Sequence, residues 1–119
     1  MMHRNYVAWT KAEKERIRKA LQLGCCVTGA MSGLEVHHLL SGGKRMGHTY
    51  TIVLAKGLHQ KYLPNVTSLA DGSKPFTQAY GTQRSLWEAT QRRLGLPINW
   101  PASKIVPRVQ RIDIGEDWA

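Results

Sequence analysis

Residues 35–59, EVHHLLSGGKRMGHTYTIVLAKGLH, decide how the chain is organised. The stretch holds four of the five histidines: His37, His38, His48 and His59. The paired histidines close an apolar, strand-like run, and a glycine-rich segment with two cations follows. A second run of β-branched and aromatic residues leads into a short segment that ends on the last histidine. The predicted order is strand, loop, strand and helix.

The charge balance of the chain favours a nucleic acid as partner. The sequence has 119 residues, a length typical of one domain, and 42% of them are hydrophobic. Three of its 8 acids lie in the last seven residues, so residues 1–112 carry 17 basic against 5 acidic side chains. A surplus of this size favours an anionic polymer over a membrane surface or simple solubility.

The N-terminus and the cysteines both predict a cytoplasmic protein. The first 14 residues lack the apolar core of a signal peptide. No apolar run approaches the ~20 residues that a membrane span needs. Cys25 and Cys26 are adjacent, which disfavours a bridge between them, so we expect two reduced, buried thiols. A zinc knuckle needs Cys-x-x-Cys, but Thr28 and Gly29 occupy the matching positions, and we expect no structural zinc.

Capping residues and apolar spacing predict an α+β fold. Thr10 and Glu13 fit a capping box, so a helix should run over Lys11–Leu23 and end at Gly24. Its buried stripe is predicted from Ile17, Ala20, Leu21 and Gly24.

The middle of the chain alternates between strand and helix signals. Strands are predicted at residues 34–40 and 49–54, around a loop at 41–47, and a helix follows at 55–63. Two more helices are predicted, at residues 73–80 and 82–94. Their core candidates are Phe76, Tyr80, Leu86, Trp87, Ala89 and Leu94.

We interpret residues 1–119 as a single domain with a core of about 10–96. Residues 97–119 are rich in proline and carry no helix signal. We expect this tail to lie extended, packed on the core or in contact with DNA.

The histidine spacing suits metal-dependent hydrolysis of a phosphodiester. Attack by water needs a general base, and imidazole suits that task with a pKa of about 6.5. A divalent cation offsets the charge that develops on the phosphate and leaving oxygen. A lone histidine is more often a hydrogen-bonded structural residue, and we assign His3 no role. For His37, His38 and His59 the ordered setting favours a site.

The ordered set resembles the HNH nucleases, and more closely the recombination-enhancement (Ref) nucleases of phages. The likeness covers residues 24–95. It implies a ββα-metal (HNH) motif packed among flanking helices, cleavage of DNA with one divalent ion, and action with a RecA-type recombinase filament. The positions that carry it are His37-His38-Leu39-Leu40-Ser41-Gly42-Gly43-Lys44-Arg45, His48, His59 and Phe76-x-x-x-Tyr80-Gly81.

The resemblance implies a role for each of these histidines. His37 and His59 would bind the ion, expected to be Mg²⁺ or Mn²⁺, with Zn²⁺ or Ni²⁺ as other candidates. His38 would be the general base, so cleavage should fall below about pH 6. His48 holds a position that is usually Asn in HNH proteins, where it would brace the base or touch phosphate. The DNA-binding candidates are Lys44, Arg45, Lys56, Lys61 and Lys74.

The adjacent His37 and His38 place a demand on the backbone. Successive side chains of a regular strand point to opposite faces, so both imidazoles cannot serve one site from an undistorted strand. We expect a bulge or a strand end near His38.

The chain departs from the family where relatives commonly carry Cys-x-x-Cys pairs around a structural zinc. Here the matching places hold Cys25 with Thr28 and Ala55 with Leu58, which implies that apolar packing replaces the zinc. Asp71 could add a ligand to the catalytic metal, although an acid in Ala-Asp-Gly also suits a turn.

Three functions therefore stay open at the level of sequence. The first is a phage- or prophage-encoded endonuclease on double- or single-stranded DNA. The second is a nuclease selective for junctions or displaced strands. The third is a non-catalytic, basic nucleic-acid-binding module whose histidines are structural.

Overall fold

Helix α1 opens the fold, and its start is encoded locally. A computed structural model of the protein describes residues 7–101, in which α1 spans Lys11–Leu23. The Thr10 hydroxyl accepts from the Glu13 amide at 3.1 Å, and the Glu13 carboxylate accepts from the Thr10 amide at 2.8 Å. Gly24 ends the helix at a φ of +87°. The predicted capping box and glycine stop are both confirmed.

An antiparallel pair of strands carries the paired histidines. β1 (Leu34–His38) pairs with β4 (Thr51–Ala55) in a continuous register that sets His38 opposite Thr51. β4 is almost fully buried, whereas β1 is half-buried along its length. The sequence analysis expected either a bulge or a strand end near His38. The register has no bulge, and β1 ends at His38.

The segment after β1 folds as a second hairpin. β2 (Leu40–Ser41) pairs with β3 (Lys44–Arg45) across a two-residue turn. Gly42 and Gly43 have φ values of +61° and +81°, and two consecutive positive values are typical of a type I′ turn. Residues 41–47 were predicted to be a loop, and this was wrong for Ser41, Lys44 and Arg45, which lie in strands. The two adjacent glycines between them allow a tight hairpin.

Helix α2 follows β4 directly and is short. It spans Lys56–His59, whereas residues 55–63 were predicted to be helical. The chain leaves the helix at Gln60, in an extended conformation. Leu63 then folds back on Gly57, where an added Cβ would lie 2.8 Å from the leucine Cδ1. The order β1, hairpin, β4, α2 keeps the predicted sequence of elements.

Two further helices complete the α+β fold. α3 spans Ser73–Tyr80 and α4 spans Gln83–Leu94, close to the predicted bounds. Thr82 caps α4 by accepting from the Ser85 amide at 3.0 Å. A 3-10 turn at Leu69–Asp71, which was not predicted, precedes α3.

The core lies around β4, which contacts α1, α2 and α4. Trp87 is buried, and its indole N–H donates to the Thr49 carbonyl at 2.9 Å. Ala89 is exposed, so its place among the core candidates was wrong. The buried apolar cluster comprises Cys25, Leu39, Ile52, Leu54, Leu58, Phe76 and Trp87.

The buried face of α1 is more polar than predicted. Arg16 and Ala20, one helical turn apart, are its buried residues. Ile17 and Leu21 are only half-buried. The apolar pattern missed Arg16 because a cation ordinarily marks the solvated face of a helix.

The start of the proline-rich tail packs on the core. The Trp100 ring meets Trp87 edge-on at 5.5 Å, and the Tyr50 hydroxyl donates to the Asn99 carbonyl at 3.0 Å. The prediction for residues 102–119 falls outside the described part of the chain. Across residues 7–101, no helix is both long and apolar enough to cross a bilayer.

Candidate active site

A chain of hydrogen bonds joins His38 to the backbone of the N-terminal arm. His38 Nε2 lies 2.9 Å from His48 Nδ1, and His48 Nε2 lies 2.6 Å from the Val7 carbonyl oxygen. Trp9 stacks on the His48 ring at 4.0 Å, with the planes 8° apart, and meets the His38 ring edge-on at 5.9 Å. The His38–His48 pair is thus held on one side by the arm.

The acceptors in this chain determine which nitrogen of each ring carries the hydrogen when the rings are neutral. A carbonyl oxygen only accepts, so His48 Nε2 must donate to Val7. With both rings neutral, His48 Nδ1 is then the acceptor, and His38 Nε2 donates to it. His38 Nδ1 is left as an unprotonated nitrogen. A lone pair of this kind is what a general base offers to a water molecule.

The same pair lines a cleft with a volume of about 640 Å³. One wall is the arm and the start of α1, with Trp9 and Glu13, and the facing wall is the β2–β3 hairpin, with Lys44 and Arg45. Burial, followed by the charges of Arg45 and the neighbouring histidines, lowers the pKa of His38 to about 4. His38 is therefore neutral at physiological pH.

His37 and His59 form a second pair, and its partners differ from those of His38. Their ring centroids lie 5.2 Å apart, with the planes at 63°. His59 Nδ1 donates to the Glu35 carboxylate at 2.8 Å, and His37 Nε2 lies 2.9 Å from the Gln83 side-chain oxygen. Hydrogen bonds from His59 and Gln60 lower the pKa of Glu35, so its carboxylate is ionised.

The donor chemistry of this second pair fits a divalent metal. Gln83 Oε1 and the Glu35 carboxylate are acceptors, so in the neutral form of each ring His37 Nδ1 and His59 Nε2 keep a lone pair. A carboxylate behind a ligand histidine is a recurrent arrangement at metal sites, where it fixes the tautomer. Burial lowers the pKa of His37, which keeps it in the neutral form that binds metal. Within residues 7–101, no three His, Cys, Asp or Glu side chains cluster closely enough to hold an ion. The fit is therefore to a site with two protein ligands.

Arg45 lies close to both histidine pairs. Its charge contributes to the lowered pKa of His37, after burial and His59, and to that of His38, second only to burial. Arg45 and its neighbour Lys44 are exposed on the hairpin. A phosphate bound there would lie close to His38, whose cleft they line.

The other three predicted DNA-binding lysines lie elsewhere. Lys56 opens α2 and places its ammonium 4.6 Å from the Tyr62 ring centre. Lys61 bonds the Asp71 carboxylate at 3.0 Å and a backbone carbonyl at 2.8 Å. Lys74 is exposed on α3. Because Asp71 also accepts from the Ser68 amide at 2.8 Å, its carboxylate holds a turn.

The two cysteines pack in the interior. Cys25 is 1% exposed, Cys26 is half-buried, and both are free thiols. The Thr28 amide donates to the Cys25 sulfur at 3.4 Å. Burial raises the pKa of Cys26 to about 12, so this thiol is neutral. Cys25 is the small buried side chain that the sequence predicted, whereas Cys26 is only half-buried.

Several residues of the site were not predicted from the sequence. Glu35 carried a usable signal, because it lies two residues before His37 and so shares its strand face. Val7, Trp9 and Gln83 carried none. Their partners lie tens of positions away along the chain, and only the tertiary fold brings them together.

Comparison with known proteins identifies the family. The chain has no significant match among curated proteins or among solved structures. The family model described as "Recombination enhancement, RecA-dependent nuclease" matches residues 10–94. That range covers well over half of the chain and contains both histidine pairs. The chain therefore belongs to the family of recombination-enhancement, RecA-dependent nucleases.

Proposed function

We propose that the protein is an HNH-type endonuclease that hydrolyses DNA with one bound divalent metal ion. The observation that carries the proposal is the chain of hydrogen bonds from His38 through His48 to Val7, which leaves Nδ1 of the neutral His38 ring without a hydrogen. His38 lines a cleft together with the cations Lys44 and Arg45. The residue before it, His37, lies against His59.

His38 is the general base in this proposal. It takes a proton from the attacking water through Nδ1. His48 holds the His38 ring in place, because His48 Nδ1 accepts the hydrogen of His38 Nε2. The reference pKa predicted a loss of activity below about pH 6. The lowered pKa of His38, about 4, moves protonation of the base to more acidic solution. The fall in cleavage rate that protonation of His38 causes should therefore lie below pH 6.

His37 and His59 would hold the divalent ion. When bound, the ion supplies positive charge that stabilises the phosphate and the leaving oxygen in the transition state. Two imidazole donors suit Mn²⁺, Ni²⁺ or Zn²⁺ better than Mg²⁺, which prefers oxygen ligands. Glu35 orients His59, and Gln83 orients His37.

Lys44 and Arg45 would bind the DNA backbone beside the base. Their positions on the hairpin fit this role, and the net charge of +9 would attract the substrate over a longer range. The family description supports a RecA-type recombinase filament as partner. Within the proposal, the protein is phage- or prophage-derived and works in the bacterial cytoplasm.

Plasmid nicking tests the proposal. The protein is incubated with supercoiled DNA in Mn²⁺, Ni²⁺ or Mg²⁺, with and without chelator, and with and without a RecA filament. Nicking that requires metal and is lost in His38→Ala supports the proposal. His3→Ala is the matched control, because the proposal gives His3 no role. Gel retardation without cleavage under every condition would instead support a non-catalytic binding module.

A further inference from the structure

A buried hydrogen-bond network lies behind the His38–His48 pair. Arg16 on α1 is 5% exposed, although it carries a full charge. Its Nη1 donates to the Thr51 hydroxyl at 2.9 Å, and its Nη2 donates to the Thr51 carbonyl at 2.9 Å. Its Nε donates to the Gln91 side-chain oxygen at 2.7 Å. The guanidinium therefore binds β4 and α4 at once.

Stability alone gives a poor account of this arginine. In the described part of the chain, no carboxylate lies within 4.0 Å of its guanidinium. Burial lowers the pKa of Arg16 to about 10, so the group is still charged at neutral pH. A buried charge without a countercharge is unfavourable, and an apolar side chain of similar size would often serve packing better. The network therefore calls for a second role.

The Thr51 hydroxyl connects Arg16 to the backbone of His48. Arginine has no acceptor, so the hydroxyl accepts from Arg16 and keeps its own hydrogen for another partner. That partner is the His48 carbonyl oxygen, 2.9 Å away. Thr51 also lies opposite His38 in the β1–β4 register. One side chain, itself 0% exposed, thus fixes the backbone at His48 from the strand that pairs with His38.

We propose that Thr51, held by Arg16, is a positioning residue that fixes His48 and through it the tautomer and orientation of His38. The inference rests on the proposed function, in which His38 is the general base. Loss of the Thr51 hydroxyl should release the His48 backbone. The His38 ring is then free to shift, and a shift of about 1 Å can lower turnover as much as a hundredfold.

Two substitutions at Thr51 separate positioning from packing. Thr51→Val keeps the shape and strand preference but removes the hydroxyl. Thr51→Ser keeps the hydroxyl but removes a methyl group. Thr90→Val is the matched control, because Thr90 is also buried and its hydroxyl donates only to the Leu86 carbonyl within α4. Thr51→Val should lower kcat by about ten- to a hundredfold with little change in KM. Thr51→Ser and Thr90→Val should stay within about threefold of the wild type.

The second readout does not depend on cleavage. Nitrogen NMR of the imidazoles at pH 7.5 should show protonated Nε2 and bare Nδ1 for His38 in the wild type. In Thr51→Val, the other tautomer should become populated, while Thr51→Ser keeps the original one. If Thr51→Val lowers the folded fraction, Arg16→Lys replaces it, since lysine keeps the charge but loses the three-way fork.

The outcomes separate this inference from the proposed function. A Thr51→Val protein with wild-type kcat and an unchanged His38 tautomer would overturn the inference, even if His38→Ala is inactive. Equal losses in Thr51→Val and Thr90→Val, in proportion to their melting temperatures, would also overturn it. If the wild type does not cleave DNA at all, the proposed function fails, and the tautomer measurement still decides whether Thr51 positions His38.

Discussion

His59 donates its Nδ1 hydrogen to Glu35 at 2.8 Å, and Glu35 lies two residues before His37 on the same strand. The strand that supplies one proposed metal ligand thereby also orients the other. The carboxylate holds the His59 tautomer in which Nε2 is free. The carboxylate also makes Nε2 a more basic metal ligand, as carboxylates behind ligand histidines do at metal sites.

Glu35→Gln should therefore weaken metal binding without unfolding the protein. We expect an increase of about 10- to 100-fold in the Kd for Mn²⁺, measured by calorimetric titration. Glu15→Gln is the matched control, because Glu15 is exposed and pairs with Arg18 on the surface of α1. Unchanged affinity in Glu35→Gln would mean that this pair is a surface contact with no bearing on metal.

The neutral His38 should make the metal-free protein less stable as the pH falls. Its folded pKa of about 4 lies below the reference value of 6.5, and burial lowers the pKa of His37 in the same direction. Between these values the unfolded chain binds more protons, so stability is lost on acidification through that window. The pKa values of Glu35 and Asp71 are also lowered, but these carboxylates add to the loss of stability only at more acidic pH.

Thermal melts in chelator from pH 7.5 to 4.5 measure this effect. The melting temperature should fall below pH 6.5, and His38→Asn should show a shallower fall than the wild type. A melting temperature that is flat, or rises, between pH 6.5 and 4.5 would contradict the buried, neutral state of His38.

The hairpin cations should account for part of the salt dependence of DNA binding. Each phosphate contact contributes a slope of about −0.9 in log K against log salt on duplex DNA. The double variant Lys44→Ala/Arg45→Ala should therefore reduce the magnitude of the slope by about 1 to 2. Fluorescence anisotropy over a salt series measures it.

Lys61→Ala serves as the control for that experiment. Lys61 is bonded to Asp71 and to the Val66 carbonyl, so its loss should leave the salt slope close to that of the wild type. If Lys61→Ala changes the slope as much as the hairpin variant does, the DNA does not favour the cleft beside His38.

Folding should not require zinc. Cys25 packs in the apolar core, and within residues 7–101 no three His, Cys, Asp or Glu side chains lie close enough together to hold an ion. Melting curves with and without a strong chelator should agree to within a few degrees, since a structural zinc site supplies about 10 kcal/mol or more of binding energy. Stoichiometric zinc in the purified protein, together with unfolding on chelation, would contradict this.

The elements that the sequence predicted well are those whose signals are local. The capping box of Thr10 and Glu13 and the glycine after α1 lie within a few residues of the helix ends they define. The same is true of Thr82 and Gly95 at the two ends of α4. Such signals do not depend on the rest of the fold, so their helix bounds could be predicted closely.

What could not be predicted depends on contacts between distant segments. Arg16 is buried because acceptors on β4 and α4 bind its guanidinium. From the sequence alone, an arginine at this position predicts an exposed side chain. The histidine pattern indicated the site, but the acceptor for His48 comes from Val7 in an arm without a motif.

His37 and His38 contact different partners from adjacent positions on β1, and the proposal gives them different roles, metal binding for His37 and proton removal for His38. His37→Ala should weaken metal binding, and excess metal should partly restore cleavage. His38→Ala should bind metal and DNA normally but lose about 10²- to 10⁴-fold in cleavage rate.

Calorimetric titration of Mn²⁺ into both variants, paired with plasmid nicking at saturating metal, is the most direct measurement. The account predicts intact metal affinity with lost cleavage in His38→Ala, and lowered affinity with partial rescue in His37→Ala. Loss of metal in His38→Ala, with metal and cleavage kept in His37→Ala, would reverse the assignment. Normal cleavage in both variants would contradict the account altogether.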